Sequence, residues 1–339
     1  MSLRIGLNGF GRIGRAICRI NASLDDSFDL AAINDPAACA SDMAYLLRYD
    51  STYGPLRQTV SFGERSISID GKDIAFSSTT RLDEVDWRAG NVDVVIDASS
   101  VQDNVAIARK LIRDGVLQRV IVTHSLNNTD REIVMGVNDS SLQPEDKVIS
   151  GSICDANAVA HPLKWIDDEF GIETGAITTL HPWLAGQNLL DGPVRNGGVT
   201  ANPGLGRSAV ASLIPKSTTA VTATTRILPA LRDKLLSFSY RTPTDTVASA
   251  HIIVKPKRMP SLDTLRTFLE DRIAASKYVK ANYESLVSID YKQESASAVV
   301  DVPWLDAANG LLRIVVWYDG EWGYSNRILD LVKTLTRVA

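Results

Sequence analysis

The chain has 339 residues, of which 45% are hydrophobic and 22% charged, values typical of a globular protein of about two domains. Its net charge of −4 excludes the strongly basic balance of most nucleic-acid-binding proteins and gives no general attraction to an acidic membrane surface. No apolar run reaches the roughly 20 residues of a membrane span. A strand and a glycine loop open the chain, so we expect no signal peptide. Its three cysteines then fit a reducing, cytoplasmic compartment.

The first predicted elements form a nucleotide-binding pattern. A strand over residues 3–8 is followed by a helix over residues 12–21, and a second strand covers residues 30–34. Three glycines spaced as G-x-G-x-x-G connect the first strand to the helix: Gly9, Gly11 and Gly14. They make the turn, admit a pyrophosphate to the backbone and let the helix pack on the strand. Asp35 ends the second strand, where an acid meets the ribose hydroxyls and repels a 2′-phosphate. The sequence therefore predicts NAD as the cofactor.

Strands and helices continue to alternate through the first half of the chain. Further strands are predicted over residues 92–97, 119–123 and 132–136, with a helix to about residue 114 after the first. This alternation predicts an α/β fold, a doubly wound parallel Rossmann sheet that we place at residues 1–153. Ligands bind at the carboxyl ends of such strands, where Ser99 and Thr123 join Asp35 as candidates. Residues 53–76 are predicted to form an antiparallel excursion.

Strands dominate the second half of the chain. They are predicted over residues 173–180, 234–241, 248–254 and 311–318, with a helix over residues 262–275. The pattern predicts an α+β catalytic domain, residues 154–318, on an antiparallel or mixed sheet. A C-terminal segment, residues 319–339, carries an amphipathic helix that we expect to return to the first domain. The loop over residues 182–207 is long enough to suggest a functional role.

Cys154 stands at the start of a helical pattern. Alone, it could be a small buried hydrophobe. A helix start also favours a thiolate, because backbone N–H groups and the macrodipole lower a cysteine pKa from its usual value of about 8.5. A thiolate beside a dinucleotide domain predicts aldehyde oxidation: sulfur adds to the aldehyde, hydride leaves to nicotinamide, and phosphate or water cleaves the thioester. Of the four histidines, His181 is the best candidate for the base, because it ends a strand before the long loop.

Motifs along the whole chain resemble the phosphorylating glyceraldehyde-3-phosphate dehydrogenases. They are Asn8-Gly9-Phe10-Gly11-Arg12-Ile13-Gly14-Arg15, Asn34-Asp35-Pro36, Met135-Gly136-Val137-Asn138, Asp191-Gly192-Pro193, Trp317-Tyr318-Asp319 and Tyr324-Ser325-Asn326-Arg327. The spacing from Cys154 to His181 is also similar to that of the family. The resemblance implies the glycolytic, NAD-dependent oxidation of glyceraldehyde 3-phosphate with inorganic phosphate by a cytoplasmic homotetramer.

The resemblance also implies a role for each matching residue. Cys154 is the nucleophile, and His181 is the base that activates it and polarises the carbonyl. The cofactor contacts, besides the glycines and Asp35, are Arg12, Ile13, Ser99, Thr123 and Tyr324. The substrate contacts are Thr218, Arg241 and Asn157. No metal is expected.

Some positions depart from the family motifs. Residues with hydroxyls that hold phosphate in the family are replaced here by Ile153, Asp155, Leu184 and Gly186. The asparagine that holds the nicotinamide amide is replaced by Gly320. The carboxylate of Asp155 would repel phosphate, although an acid in the first turn of a helix is also locally favourable.

These departures leave three interpretations. In the first, which we favour, the same substrate binds a rearranged phosphate site that uses Arg241, Thr218 and groups of the long loop. The loop candidates are Arg195 and Asn188. In the second, the enzyme prefers another aldehyde, such as erythrose 4-phosphate. In the third, the protein is a non-catalytic NAD-binding or redox-sensing regulator, against which the intact Cys154 and His181 argue.

Overall fold

The computed structural model describes residues 3–25, 27–194 and 202–338, with side chains as far as residue 336. By its internal contacts the chain divides into two units. One comprises Met1–Ser152 and Ser325–Ala339, and the other Ile153–Tyr324. Among the described residues, none of the helices has the length and apolar character needed to cross a bilayer.

The first unit is built on a mainly parallel sheet. Its strands are β1 (Arg4–Asn8), β2 (Asp29–Asn34), β3 (Tyr49–Asp50), β4 (Gly54–Pro55), β5 (Val60–Gly63), β6 (Ser66–Ile69), β7 (Lys72–Ser77), β8 (Val94–Asp97), β9 (Arg119–Val122), β10 (Arg131–Glu132) and β11 (Val148–Ser150). Within the described residues, nine of these strands lie in the order β10-β11-β9-β8-β1-β2-β7-β6-β5. Pairing is parallel from β10 to β7 and antiparallel at β6 and β5. The predicted doubly wound sheet and its antiparallel excursion are confirmed.

Three helices of the first unit each follow a strand of this sheet. They are α1 (Arg12–Ala22), α2 (Ala40–Arg48) and α3 (Asn104–Arg113). All residues of β8 and β9 are buried, as expected for strands covered on both faces. Apart from Asp97 at the end of β8 and Arg119 at the start of β9, the residues are apolar, and these apolar runs identify the strands in the sequence.

The second unit is built on a mixed sheet. Its strands are β12 (Ile172–Pro182), β13 (Ile214–Lys216), β14 (Leu235–Thr242), β15 (Ala248–Pro256), β16 (Val279–Asn282), β17 (Ala298–Asp301), β18 (Asp306–Ala308) and β19 (Leu311–Tyr318). The described residues give the order β13-β14-β12-β15-β19-β17-β16, with β18 added to β19. The β12–β14 and β16–β17 pairs are parallel and the rest are antiparallel. The predicted α+β character is confirmed.

Helices cover one face of the second sheet. They are α4 (Cys154–Phe170), α5 (Ala220–Ile227) and α6 (Leu262–Ala274). Val159 and Ile166 of α4 share a buried apolar cluster with Ile252 of β15 and Val316 of β19. Period-2 alternation places these strand residues on the inner face. The last helix, α7 (Trp322–Val338), begins in the second unit and continues in the first.

The predicted strand over residues 132–136 is wrong beyond its first residue. The structure forms only β10 (Arg131–Glu132) there. The Val134 N–H donates to Asn138 Oδ1 at 2.8 Å, and the Gly136 N–H donates to Asp139 Oδ1 at 2.7 Å. Because these N–H groups donate to side chains of a tight turn, they are not available for hydrogen bonds to a neighbouring strand.

Candidate active site

The chain enters α4 through a strained residue. Ser152 has a φ of +59°, in the left-handed region that costs a residue with a side chain about 1–3 kcal/mol. Two hydrogen bonds hold it: the Ser152 N–H donates to Ser150 Oγ at 2.9 Å, and Ser152 Oγ donates to Glu132 Oε1 at 2.5 Å. Cys154 is then the first residue of the helix, as predicted.

Three reactive side chains meet in the second unit at the start of α4. His181, in the last part of β12, places Nε2 at 3.7 Å from Cys154 Sγ. Asp155 places Oδ1 at 3.6 Å from the same sulfur and at 3.9 Å from His181 Nε2. The thiol can therefore pass its proton to either neighbour, and the predicted Cys154–His181 pair is present in the described structure.

Asp155 is fixed in this cluster from two sides. The Tyr318 hydroxyl, at the end of β19, donates to Asp155 Oδ1 at 2.7 Å. The Thr218 hydroxyl, just before α5, donates to Asp155 Oδ2 at the longer distance of 3.4 Å. Asp155 is only 6% exposed. Its carboxylate therefore belongs to the reacting cluster and does not lie on a solvated helix surface.

Two cations balance this carboxylate. Arg241, on β14, lies opposite His181 in the parallel register. Its Nη1 contacts His181 Nδ1 and donates to the Pro182 carbonyl at 3.0 Å. Lys216, at the end of β13, is close enough for its charge to act on the same groups: its pKa is lowered by burial and by Arg241, against the opposing influence of Asp155 and Cys154.

Burial dominates the electrostatics of the thiol. It raises the pKa of Cys154 well above the usual range, and the neighbouring Asp155 carboxylate raises it further, while Arg241 acts in the opposite direction. Burial also lowers the pKa of His181, with Asp155 opposing and Arg241 reinforcing that shift. The expectation of a pKa lowered by the helix start is therefore wrong for the resting thiol, because desolvation and a facing carboxylate outweigh the helix.

The cluster contains atoms of the kind that bind metals. Cys154 Sγ, His181 Nε2 and a carboxylate oxygen of Asp155 all lie within 4.8 Å of one another. A divalent cation there would face the positive charges of Arg241 and Lys216. We therefore assign this cluster to thiol chemistry and assign no metal.

The glycine loop of the first unit has the geometry expected for a dinucleotide. Gly9 has a φ of +90°, and a Cβ there would lie 2.6 Å from the Ser99 backbone nitrogen. A Cβ on Gly14 would lie 2.2 Å from the Gly9 carbonyl oxygen, so helix and loop touch. A Cβ on Gly11 would meet none of the described atoms within 4 Å, which leaves an open approach to the backbone. The residues present therefore fit a bound pyrophosphate.

Asp35 follows β2 and lies beside the glycine loop at the same edge of the sheet. Its Oδ2 accepts from the Phe10 N–H at 2.6 Å, and its Oδ1 accepts from the Ala37 N–H at 2.8 Å. Each carboxylate oxygen retains a lone pair for a ribose hydroxyl. Arg12, a predicted pyrophosphate contact, forms an ion pair with Asp50 at 2.5 Å and lies over the Tyr53 ring. Ile13 follows Arg12 in the first turn of α1, where backbone N–H groups are available to an anion.

A buried polar network that the sequence did not predict fixes the strand ends around this loop. Asn34 donates to Asn8 Oδ1 at 2.8 Å, and Asn8 in turn donates to Asp97 Oδ1 at 2.9 Å. Ser99 Oγ donates to the same Asp97 oxygen at 2.6 Å, and Thr123 Oγ1 donates to the Asp97 carbonyl at 3.2 Å. The network thus brings Ser99 and Thr123 to one edge.

Comparison with protein-family models matches both units. Residues 3–104 match the model described as glyceraldehyde 3-phosphate dehydrogenase, NAD binding domain. Residues 153–320 match the model described as glyceraldehyde 3-phosphate dehydrogenase, C-terminal domain. The chain belongs to the glyceraldehyde 3-phosphate dehydrogenase family. It is accordingly an NAD-dependent oxidoreductase, and its cofactor is NAD.

Similar proteins of this family align along nearly the whole chain. Glyceraldehyde-3-phosphate dehydrogenase 3 of Saccharomyces cerevisiae is 34% identical over 99% of this chain and 99% of its own. The enzyme of Ogataea parapolymorpha is 34% identical over the full length of both. A chloroplastic glyceraldehyde-3-phosphate dehydrogenase of Arabidopsis thaliana is 32% identical over 99% of this chain and 79% of its own.

Three of the remaining positions expected from the family are buried in the structure, and a fourth is not described. Asn157 is 2% exposed, and its Nδ2 donates to the Ile153 carbonyl at 3.0 Å, which supports the first turn of α4. Tyr324 is buried in the first turn of α7. Asn188 is 6% exposed and donates to the Pro193 carbonyl at 2.9 Å, so it holds its own loop together. Arg195 lies outside the described residues.

Two positions at which this chain departs from the family motifs differ in their surroundings. A Cβ on Gly320 would lie 3.5 Å from Cys154 Sγ, so the missing side chain lies against the thiol. Leu184 is 47% exposed.

Lys216 was not predicted as a site residue, and its only sequence signal is its position two residues before Thr218.

Proposed function

We propose that this protein catalyses the reversible NAD-dependent oxidation of glyceraldehyde 3-phosphate, with inorganic phosphate, to 1,3-bisphosphoglycerate. The observation that carries the proposal is the pairing of Cys154 Sγ with His181 Nε2 at 3.7 Å at the start of a helix, in a chain of this family. Relatives named for the same activity support the substrate.

Cys154 is the proposed nucleophile and His181 the proposed base. Sγ adds to the aldehyde carbon while the thiol proton moves to His181 Nε2, which yields the oxyanion of a thiohemiacetal beside a protonated His181. This transfer requires the tautomer in which His181 Nδ1–H donates to the Pro182 carbonyl, 3.1 Å away. Because a guanidinium can only donate, the contact of Arg241 Nη1 with Nδ1 must then be given up. The backbone N–H of Cys154, at the helix start, supports the oxyanion.

Bound NAD supplies the acceptor for the hydride that leaves the thiohemiacetal carbon. The residues proposed to hold it are Gly9, Gly11, Arg12, Ile13, Gly14, Asp35, Ser99, Thr123 and Tyr324. After the oxidation, Cys154 carries the acyl group as a thioester. Phosphate oxygen then attacks the acyl carbon, the C–S bond breaks, and Cys154 leaves as a thiolate.

Arg241, Thr218 and Asn157 are the proposed substrate contacts. The charge and buried position of Arg241 support its role as a contact to the substrate's phosphate, because a guanidinium pairs well with phosphate. The bond from Asn157 Nδ2 to the Ile153 carbonyl, 3.0 Å long, holds this residue in the first turn of α4.

The proposed assembly is a cytoplasmic homotetramer. On the sheet face opposite the helices, Leu180, Leu236 and Phe238 are exposed by 44%, 76% and 40%, which supports a subunit contact there. The proposed domains are residues 1–153 for NAD, 154–318 for catalysis and 319–339 for the returning helix. The division of the chain into two units supports this organisation.

The test is NAD reduction with glyceraldehyde 3-phosphate, with and without inorganic phosphate, and with erythrose 4-phosphate as a competitor. Phosphate-dependent turnover with the higher kcat/KM on glyceraldehyde 3-phosphate is expected. Turnover independent of phosphate would mean that water releases the acyl group. A preference for erythrose 4-phosphate, or no reduction of bound NAD by either aldehyde, would overturn the substrate assignment.

A further inference from the structure

Lys216 shares a sheet face with the catalytic residues. In the antiparallel β13–β14 pair, Lys216 lies opposite Ser239 and Ile214 lies opposite Arg241. Residues directly opposite each other, and residues two apart on one strand, point to the same face of a sheet. Lys216 and Arg241 therefore lie on one face as diagonal neighbours.

The same register connects this face to the thiol. In the parallel β12–β14 pair, His181 lies opposite Arg241, so its ring shares the face with both cations. His181 Nε2 is the atom that approaches Cys154 Sγ at 3.7 Å. Lys216 is partly buried on this face, on the strand β13 that lies two positions from the strand of His181 in the sheet.

Both cations keep hydrogen-bond donors available. Within the part of the chain that the structure describes, Lys216 has no hydrogen bond or ion pair from its ammonium group, and Arg241 uses Nη1 alone. Nε and Nη2 of Arg241 remain as donors. Arg241 is only 7% exposed, and a buried charge without a matching anion is costly.

The charge balance favours a further anion. Asp155 is the carboxylate facing the two cations, and its oxygens already accept from Tyr318 and Thr218. Among the residues that the structure describes, this single carboxylate leaves the pair of cations in excess while Cys154 and His181 are neutral. Burial and the charge of Arg241 both lower the pKa of Lys216, which is the effect that a bound anion would offset.

We propose that Lys216 and Arg241 together form a subsite that binds a phosphate dianion beside Cys154. The dianion is either the phosphoryl group of the aldehyde or inorganic phosphate, which share this chemistry. The inference rests on the proposed function and adds Lys216 to it. Arginine contributes a planar fork and lysine a compact charge, a combination suited to a tetrahedral dianion.

The test compares Lys216→Gln and Lys216→Arg with Lys292→Gln, which removes an exposed lysine of the same unit. Loss of one charged hydrogen bond should raise a KM about tenfold or more in Lys216→Gln. Lys216→Arg, which keeps the positive charge, should bring the KM most of the way back to the wild-type value. Lys292→Gln should have the wild-type KM. A raised KM for glyceraldehyde 3-phosphate assigns the subsite to the substrate, whereas a raised KM for inorganic phosphate assigns it to the acyl acceptor.

A second measurement needs no turnover. Inorganic phosphate should slow the alkylation of Cys154 by iodoacetamide, a neutral reagent, in the wild type and in Lys292→Gln but not in Lys216→Gln. Unchanged KM values together with equal protection in all variants would overturn the subsite. Protection that depends on Lys216 in an enzyme that does not reduce NAD would support the subsite and overturn the proposed function alone.

Discussion

Among single residues, Asp155 adds to the effect of burial on the pKa of the Cys154 thiol. Its Oδ1 lies 3.6 Å from Cys154 Sγ, in a position fixed by Tyr318. A carboxylate at this distance disfavours the thiolate and favours a protonated His181. The resting enzyme should therefore keep Cys154 as a thiol near neutral pH.

Asp155→Asn should move the pH profile of Cys154 alkylation to lower pH. The carboxylate raises the pKa of Cys154, so its removal lowers that pKa and increases the thiolate fraction at any pH below it. Iodoacetamide should then react severalfold faster at pH 7, as measured by peptide mass spectrometry. The asparagine keeps the size of the side chain.

Asp168→Asn provides the matched control, because Asp168 lies on the same helix but on its exposed side, where it pairs with Lys164. Its alkylation profile should equal that of the wild type. If Asp155→Asn also left the profile unchanged, the carboxylate would have no influence on the sulfur.

At the scale of elements, the join between β1 and α1 depends on Gly14. A Cβ at this position would lie 2.2 Å from the Gly9 carbonyl oxygen, a backbone atom that cannot rotate away. Gly14→Ala should force helix and loop apart, with a loss of about 1–3 kcal/mol in the free energy of unfolding and a weaker NAD complex. Thermal unfolding and calorimetric titration with NAD measure the two effects.

Gly186→Ala is the control for that substitution, because a Cβ at Gly186 meets none of the described atoms within 4 Å. It should leave both the melting temperature and the NAD affinity unchanged. Wild-type affinity in Gly14→Ala would show that the close packing of the glycine loop is unnecessary for the cofactor.

Elements with local signals were predictable from the sequence. The glycine loop, Asp35 and the helix start at Cys154 are set by residues a few positions apart, and the structure contains them. Non-local pairing was not predictable: the register of β12, β13 and β14 brings His181, Arg241 and Lys216 together from distant parts of the chain. The prediction of a lowered cysteine pKa failed for the same reason, because burial depends on the whole fold.

For the whole molecule, the proposed association of subunits would bury the exposed apolar side chains on the face of the second sheet opposite its helices. Leu236→Asp should place a charge in the proposed contact and shift the protein from the proposed tetramer to smaller species in sedimentation velocity. Leu236 is 76% exposed, so the folded subunit should tolerate the change.

Val287→Asp serves as the comparison, since Val287 is 60% exposed in a different segment of the same unit. It should sediment as the wild type does. A wild type that is monomeric, or a Leu236→Asp variant of unchanged size, would remove the outer face of the sheet from the assembly.

Cys154 is proposed to carry the acyl group and to pass it to phosphate. Intact-mass and peptide mass spectrometry of the enzyme mixed with NAD and glyceraldehyde 3-phosphate, without phosphate, tests it directly. We expect one acyl adduct on the Cys154 peptide, absent in Cys154→Ala, that disappears with wild-type enzyme when inorganic phosphate is added. An adduct on Cys39, the exposed cysteine of the chain, no adduct at all, or an adduct that phosphate leaves in place would contradict this role of Cys154.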